Sequence, residues 1–416
     1  MGAVRRRMEV PGVDERRRHH EGAKDTKSHE EYIWATGDAC IVERIAAQPR
    51  EGWEKLVEAQ GFYFHTTEDG PYWDESAYYR FGSAEIDAIE KATYELNDLC
   101  LAAVESVVKK GRWDDFNIAP PYRDWIAQSW EEDELTIVGR FDLAYNGSGP
   151  PKLLEYNADT PTSLLEAAVI QWQWMQDCHK DMDQFNSIHE KLIEAWKRAA
   201  SDGWVTGPVF FSAVAGHVED YMTVNYLRDT AIQAGLDTEY VDVEKVGWNT
   251  PRRAFVDMNE RPILNAFKLY PWEWMLAESF GQYLPLRTTR WLEAPWKVLL
   301  SNKAILAVLW EMFPDSPYLL PASLQEMTGD FVKKPRQGRE GGNVTIMRAG
   351  QVIGETGGTY GGPWVWQKLA ERRDFDGQYP ILGSWMVNGY ACGMGIREDR
   401  GLITGNMSRF VPHVFG

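Results

Sequence analysis

One stretch constrains this chain more than any other: Gly139–Ala167, GRFDLAYNGSGPPKLLEYNADTPTSLLEA. Thr136 to Tyr145 alternates as a strand does, Asn146-Gly147-Ser148-Gly149-Pro150 is turn chemistry, and Lys152 to Tyr156 is a second short strand. Successive strand side chains point to opposite sides, so Arg140 shares a face with Asp142, and Glu155 with Asn157. Phe141, Leu143, Leu154 and Tyr156 are then left to face a core. Paired in the simplest register, the hairpin gathers an arginine and three oxygen-bearing side chains on one face.

Asp142, Glu155 and Asn157 are oxygen donors of the kind a hard divalent cation takes, and Mg²⁺ keeps positions for water and phosphate oxygens. Arg140 does not bind a metal, but it suits a carboxylate or phosphate beside one. The competing reading is a half-exposed hairpin with an ordinary Arg–Asp surface pair. The next residues favour chemistry. Asn157-Ala158-Asp159-Thr160-Pro161-Thr162-Ser163 is a polar run leading straight into Leu164 to Met175. Ser163 and Glu166 have capping-box spacing, and Thr160-Pro161 offers a second helix start. A helix N-terminus beside a metal face makes an anion site.

GRFDLAY followed by LLEYNADTPTSLLEA resembles the signature of the glutathionylspermidine synthetase family, and the likeness runs from about Ile41 to the C-terminus. It is nearest to the stand-alone members without an amidase domain. The resemblance implies an α/β (α+β) chain of ATP-grasp fold, with ATP and Mg²⁺. It implies Asp142, Glu155 and Asn157 on the metal and Arg140 on substrate. It implies Lys303 and Lys334 on ATP, with Lys333 as the rival to Lys334, since strand alternation turns only one of them inward. It implies that Arg397 clamps anionic substrate groups and that Glu219 and Asp220 contact amine and peptide. Thr160 and Thr162 stand where the bifunctional enzymes carry serines, and Leu269 where they carry a peptide-contacting threonine. The Glu-x-Asn pair precedes the lysines, which matches the circularly permuted glutathione-synthetase-like type.

The rest of the chain divides around this stretch. Residues 1–38 are poor in apolar groups and carry Arg5–Arg7 and Arg16–Arg18. They read as a disordered leader; a basic arm for nucleic acid is the alternative. Residues 39–204 form the N-terminal part of the synthetase core with its metal hairpin. Ser83 to Lys110 is its clearest helix, with Ile86, Ile89, Leu96, Leu99, Ala103, Val104 and Val107 at helical spacing and Gly111 as its stop. Pro71 to Phe81 reads as a packed aromatic loop. Residues 205–295 form an inserted α/β substrate domain: strands Val209–Val214, Glu239–Val243 and Ile263–Phe267, with a helix from Glu219 to Ala234. Glu219 and Asp220 follow the first strand, at the end of a parallel sheet where ligands bind. Helix-dipole stabilisation is the plainer account of them.

Residues 296–416 form the nucleotide-binding part. A Gly-rich turn, Gly338 to Asn343 with Gly341 and Gly342, joins strands and can fold its N–H groups over phosphates. The P-loop pattern is absent. Gln367, Lys368 and Leu369 fit the hinge whose backbone reads adenine in the family. Gly354 to Pro363 is glycine-rich enough for a mobile lid.

Composition sets the limits. A net charge of −18 opposes a nucleic-acid partner and is compatible with a cationic substrate. Cys40, Cys100, Cys178 and Cys392 have no metal-ligand spacing and suggest no disulfide framework. No apolar run approaches a membrane span and no secretory signal opens the chain, so a cytoplasmic protein is the default. Within these limits the resemblance implies an ATP-dependent ligase joining a peptide-like acid to a cationic, polyamine-like amine, without amidase activity. A degenerate nucleotide-binding protein is one alternative. A glycan-active hydrolase using two carboxylates among the 19 tryptophans is another.

Overall fold

The organising stretch folds as two strands, Val138–Ala144 and Lys152–Asn157, on one edge of a five-stranded antiparallel sheet. The computed structural model describes residues 42–67 and 70–416, which belong to one compact unit. The reading of residues 1–38 therefore lies outside the described residues. The sheet runs in the order Arg409–Val411, Tyr390–Asp399, Tyr379–Val387, Val138–Ala144, Lys152–Asn157. Arg140 pairs with Asn157 and Asp142 with Glu155, so the expected face forms.

A bulge then slips the register: Leu143 pairs with Leu153, and Leu154 becomes the extra residue. Leu153 takes the core place expected for Leu154, which lines a cavity instead. Against the core side of this sheet packs the helix Ser83–Lys110, burying Ile86, Ile89, Leu96, Ala103, Val104 and Val107. Leu99 only flanks that core. Gly111 closes the helix in the left-handed conformation expected of a C-terminal glycine.

A second sheet is parallel, in the order Arg290–Leu292, Asn265–Leu269, Val209–Ala213, Thr238–Asp242, with Val218–Gln233 as the crossover helix. Three of these strands were legible as β-rich runs; Arg290–Leu292 was not. A third, antiparallel sheet comprises Ala322–Ser323, Trp364–Lys368, Phe331–Pro335, Thr345–Arg348 and Gln351–Glu355.

Two sequence expectations change. Pro71 to Phe81 is not all loop: Ala77–Phe81 is a strand between Glu43–Ala46 and His413–Phe415. Its alternation of buried Ala77, Tyr79 and Phe81 with half-buried residues is that of a strand, but its partners come from the two ends of the described chain. The chain after Ser163, where one helical region continuing to about Ala200 is expected from its apolar spacing, is divided instead. A π-helical turn, Glu166–Ile170, runs into Gln171–Cys178, and a second helix, Ile188–Ser201, follows separately.

Candidate functional site

The three sheets converge on one large cavity. Every residue the sequence nominated lines it: Arg140, Asp142, Glu155, Asn157, Thr160, Thr162, Glu219, Asp220, Lys303, Lys334, Gly338, Gly341, Gly342, Gln367, Lys368, Leu369 and Arg397. Strand alternation puts Arg140, Asp142, Glu155, Asn157 and Arg397 on the cavity face of the central sheet. Gly383 lies opposite Asp142 and leaves room there, since a Cβ would come within 2.8 Å of Arg140 Cδ.

The face is tightly wired. Arg140 donates to Asp142 through Nε at 2.7 Å and Nη2 at 3.1 Å, and through Nη1 to the Thr162 carbonyl at 2.7 Å. Asn157 Nδ2 donates to Asp142 Oδ2 at 3.0 Å and to Glu155 Oε1 at 3.3 Å. Lys303 Nζ lies 3.1 Å from Glu155 Oε2 and donates to the Gly338 carbonyl at 2.6 Å. Burial alone would raise the Glu155 carboxyl, but Lys303 and Lys334 outweigh it and hold it down at about 2.

Lys334 points into the cavity. Its Nζ donates to Gln367 Oε1 at 2.9 Å and to the Leu154 carbonyl at 3.0 Å, an oxygen offered by the bulged residue. Burial pulls its ammonium down to about 8, against the attraction of Glu155. Lys333 turns to the opposite face, 4.3 Å from the Trp364 ring centroid. In the adjoining hinge, the N–H groups of Lys368 and Leu369 donate to the Pro321 and Asp330 carbonyls, so these two amides are engaged within the protein.

The glycine turn carries a residue that the sequence reading passed over. Arg339 donates to Glu273 Oε1 from Nη2 at 2.9 Å and from Nε at 3.2 Å, and to Thr160 Oγ1 at 2.5 Å. It joins the turn to the hairpin exit and to the parallel-sheet segment. A charged side chain inside GREGGN was the available signal, but a turn residue ordinarily reads as exposed. Gly341 is bound to its place by a φ of +66° and by the Thr404 carbonyl, 2.6 Å from where a Cβ would sit. Across the cavity, Arg397 Nη2 donates to the carbonyls of Gly405, Asn406 and Ser408 at 2.8, 2.7 and 3.1 Å.

The expected capping box does not form. The helix start makes no side-chain cap bond. Ser163 adopts a φ of +65°, and its Oγ lies 2.8 Å from Tyr72 Oη. Glu166 turns into the interior, 2% exposed, with Oε1 lacking a partner among the described residues. Burial and then the neighbouring Glu219 raise its carboxyl to about 7. Glu219 is itself raised, by burial against the pull of Arg397. Burial, with Glu219 second, lifts Asp220 to about 6. Glu166, Glu219 and Asp220 thus form a group of carboxyls raised by burial, with Glu219 adding to the shift at the other two. Arg397 acts against the shift at Glu166 and Glu219, and Arg339 against it at Asp220.

Among the described residues, Cys100, Cys178 and Cys392 are free thiols, and no helix is long and apolar enough to cross a membrane.

Comparison with known proteins agrees with this geometry. The family model described as glutathionylspermidine synthase preATP-grasp matches residues 44–416. A Haemophilus influenzae protein named as an acid–amine ligase is 42% identical over 369 residues, covering 85% of this chain and 94% of its own length. Trypanothione synthetase of Crithidia fasciculata is 30% identical over 353 residues, 76% of this chain. The bifunctional glutathionylspermidine synthetase/amidase of Escherichia coli is 25% identical over 379 residues, 80% of this chain. The match spans 53% and 58% of those two longer proteins. Among solved structures, a glutathione synthetase-like effector of Globodera pallida, at 9% identity, superposes with a TM-score of 0.53. It covers 89% of this chain and 98% of its own, a likeness of fold. The chain belongs to the glutathionylspermidine synthase family and is an ATP-dependent carbon–nitrogen ligase of the acid–amine type.

Proposed function

We propose that this cavity activates a peptide-like carboxylate with ATP and couples it to a cationic amine. The observation that carries the reading is that one cavity brings together two lysines and a glycine turn, three arginines, an oxygen-rich face and the Glu219–Asp220 pair. Lys303, Lys334 and the glycine turn suit the phosphates of ATP, and Arg140, Arg339 and Arg397 suit a carboxylate and its acyl phosphate. Glu219 and Asp220, with Glu166 behind Glu219, suit an ammonium group.

The residues also fit a divalent metal. Asp142 and Glu155 share the Asn157 amide within hydrogen-bond reach, so three oxygen-bearing side chains converge, and Glu155 is held ionised. These three would hold Mg²⁺, which supplies charge neutralisation at the phosphate oxygens when bound.

The substrate carboxylate oxygen attacks the γ-phosphorus of ATP; the bond to the β-phosphate oxygen breaks and ADP leaves. The amine nitrogen then attacks the acyl carbon, phosphate leaves, and the nitrogen loses its proton to yield an amide. The chain's part is positioning and charge stabilisation, with no covalent protein intermediate. Arg140 is held for this by Asp142 and the Thr162 carbonyl, and Arg339 by Glu273 and Thr160.

Glutathione is a poor fit as the acid. Thr160 and Thr162 keep hydroxyls but add methyls, and Leu269 lines the cavity with no hydrogen-bonding group. The test is ADP release by the purified chain across a panel of amines and peptide acids. Turnover is expected with a cationic amine and a peptide-like acid, and weak or no turnover with glutathione and spermidine. ADP release unaffected by any amine or acid sinks the ligase reading of the site; robust glutathionylspermidine formation sinks the exclusion of glutathione.

A further inference from the structure

We propose that Asn343 is a positioning residue for ATP: it fastens residues 356–363 to the glycine turn and so fixes the turn against the cavity. The inference rests on the ATP reading above. Chain topology brings the two segments together. The turn joins the strands Phe331–Pro335 and Thr345–Arg348, and residues 356–363 join Gln351–Glu355 to Trp364–Lys368. In the third sheet Trp364–Lys368 lies on one side of that hairpin and Gln351–Glu355 on the other. Pro335 pairs with Trp364 and Thr345 with Glu355, so the second connection crosses the end at which the first one turns.

Asn343 holds the crossing by both its backbone and its side chain. Its N–H donates to the Gly357 carbonyl at 3.1 Å, and its Oδ1 accepts the Tyr360 N–H at 2.9 Å. Thr356 adds a second tie: its Oγ1 donates to the Gly341 carbonyl at 2.5 Å and accepts the Val344 N–H at 3.0 Å. A Cβ at Gly342 would come within 3.0 Å of Tyr360 Cδ2, and one at Gly341 within 3.1 Å of Ile403 Cγ2. The turn is thus gripped between Tyr360 and the segment 403–404.

Asn343 acts at one remove from the ligand. Gly338, Arg339, Glu340, Gly341 and Gly342 line the cavity; Asn343 and residues 354–363 do not. What the crossing segment does to ATP therefore passes through the turn. Glu340, Gly341 and Asn343 have φ values of +53°, +66° and +55°, a conformation that local preference does not supply and that surrounding contacts must hold. A turn whose competent form is only partly populated binds more weakly by that fraction, so cutting a tie lowers ATP affinity without removing a ligand contact. By linkage, ATP that selects the fixed turn also steadies the segment tied to it.

The test is amide hydrogen exchange on the full chain with and without saturating Mg-ATP, together with ATP affinity by calorimetry. The variant is Asn343→Gly, which keeps the positive φ and removes the Oδ1 acceptor. In wild type, Mg-ATP is expected to slow exchange in the turn, 338–343, and also in 356–363, which does not line the cavity. In Asn343→Gly the slowing of 356–363 should fall at least about 3-fold while the turn still responds, and ATP should bind about 3- to 10-fold more weakly. Thr356→Val is expected to weaken ATP in the same way, and Thr356→Ser, which keeps the hydroxyl, to restore it. A merely structural role would lower the unfolding midpoint and leave the coupling between ATP and 356–363 in place. Wild-type protection confined to the turn, or an Asn343→Gly chain in which either the coupling or the affinity is unchanged, overturns the inference while leaving ATP binding intact. A wild type that binds no ATP overturns the functional reading and this inference with it.

Discussion

Lys268 Nζ stands 2.5 Å from Asp159 Oδ1, and both side chains are wholly buried. The other Asp159 oxygen accepts the Trp272 N–H at 2.8 Å, and the Lys268 ammonium lies 4.2 Å from the Trp272 ring centroid. Asp159 belongs to the hairpin exit and Lys268 to the parallel sheet, so this pair joins the two and sets Thr160 and Thr162 in the cavity wall. Asp159→Ala leaves a buried ammonium unpaired and should cost about 3–5 kcal/mol. Asp159→Leu with Lys268→Met removes both charges and should cost clearly less. Urea unfolding midpoints decide it; a double variant as unstable as Asp159→Ala contradicts the account.

The oxygen-rich face gives a ligand-removal prediction. Asp142→Asn with Glu155→Gln should lower Mg²⁺-dependent ATP affinity at least about 100-fold in calorimetry, since the two carboxylates proposed to hold the metal are lost together. Chelation of divalent metal from the wild type should have a similar effect. Unchanged affinity in both cases would show that the face does not hold the metal.

Amine binding should depend on pH in a fixed direction. Burial raises Glu166 to about 7 and Asp220 to about 6, and raises Glu219 as well. Glu166 is faced by Glu219, Tyr72 and Arg397, and Asp220 by Glu219, His217, Glu340 and Arg339. Neutral carboxyls do not attract an ammonium group, so the KM for the amine should fall as pH rises from about 5 to about 8. Stability without amine should move the other way. With raised folded-state values, the folded chain binds more protons than the unfolded chain between the ordinary carboxyl range and about 7, so this contribution declines as pH rises through that window. Glu166→Gln should flatten both profiles. An amine KM insensitive to pH in wild type removes the basis for the amine assignment.

Gly341→Ala tests the turn. A side chain at φ +66° is strained by roughly 1–2 kcal/mol, and its Cβ meets the Thr404 carbonyl at 2.6 Å. The KM for ATP should rise about 10-fold or more with little change in amine KM. An equal rise for both substrates would assign the glycine to general folding.

Much of the site was legible in local pattern. Alternation in Val138–Ala144 and Lys152–Asn157 placed Arg140, Asp142, Glu155 and Asn157 on one face, and the register bears this out. The same alternation required that only one of Lys333 and Lys334 turn inward, and the third sheet turns Lys334. The helix over Ser83–Lys110 showed in its apolar spacing and its terminal glycine.

Tertiary structure decided what depends on distant partners. The Ser163–Glu166 spacing is that of a cap, but Tyr72, 91 residues away in sequence, takes the Ser163 hydroxyl. Glu166 is left to face Glu219 from a different segment. The bulge that gives the Leu154 carbonyl to Lys334 leaves no mark in LLEYN. Ala77–Phe81 alternates as a strand should, yet it pairs only because Glu43–Ala46 and His413–Phe415 flank it. Arg339 became a site residue because Glu273 and Thr160 lie beside it. A sequence determines which face a side chain takes, because that follows from backbone period over a few residues. It does not show which remote group will meet that face, because that is settled by how whole sheets pack and by which buried polar groups find partners there.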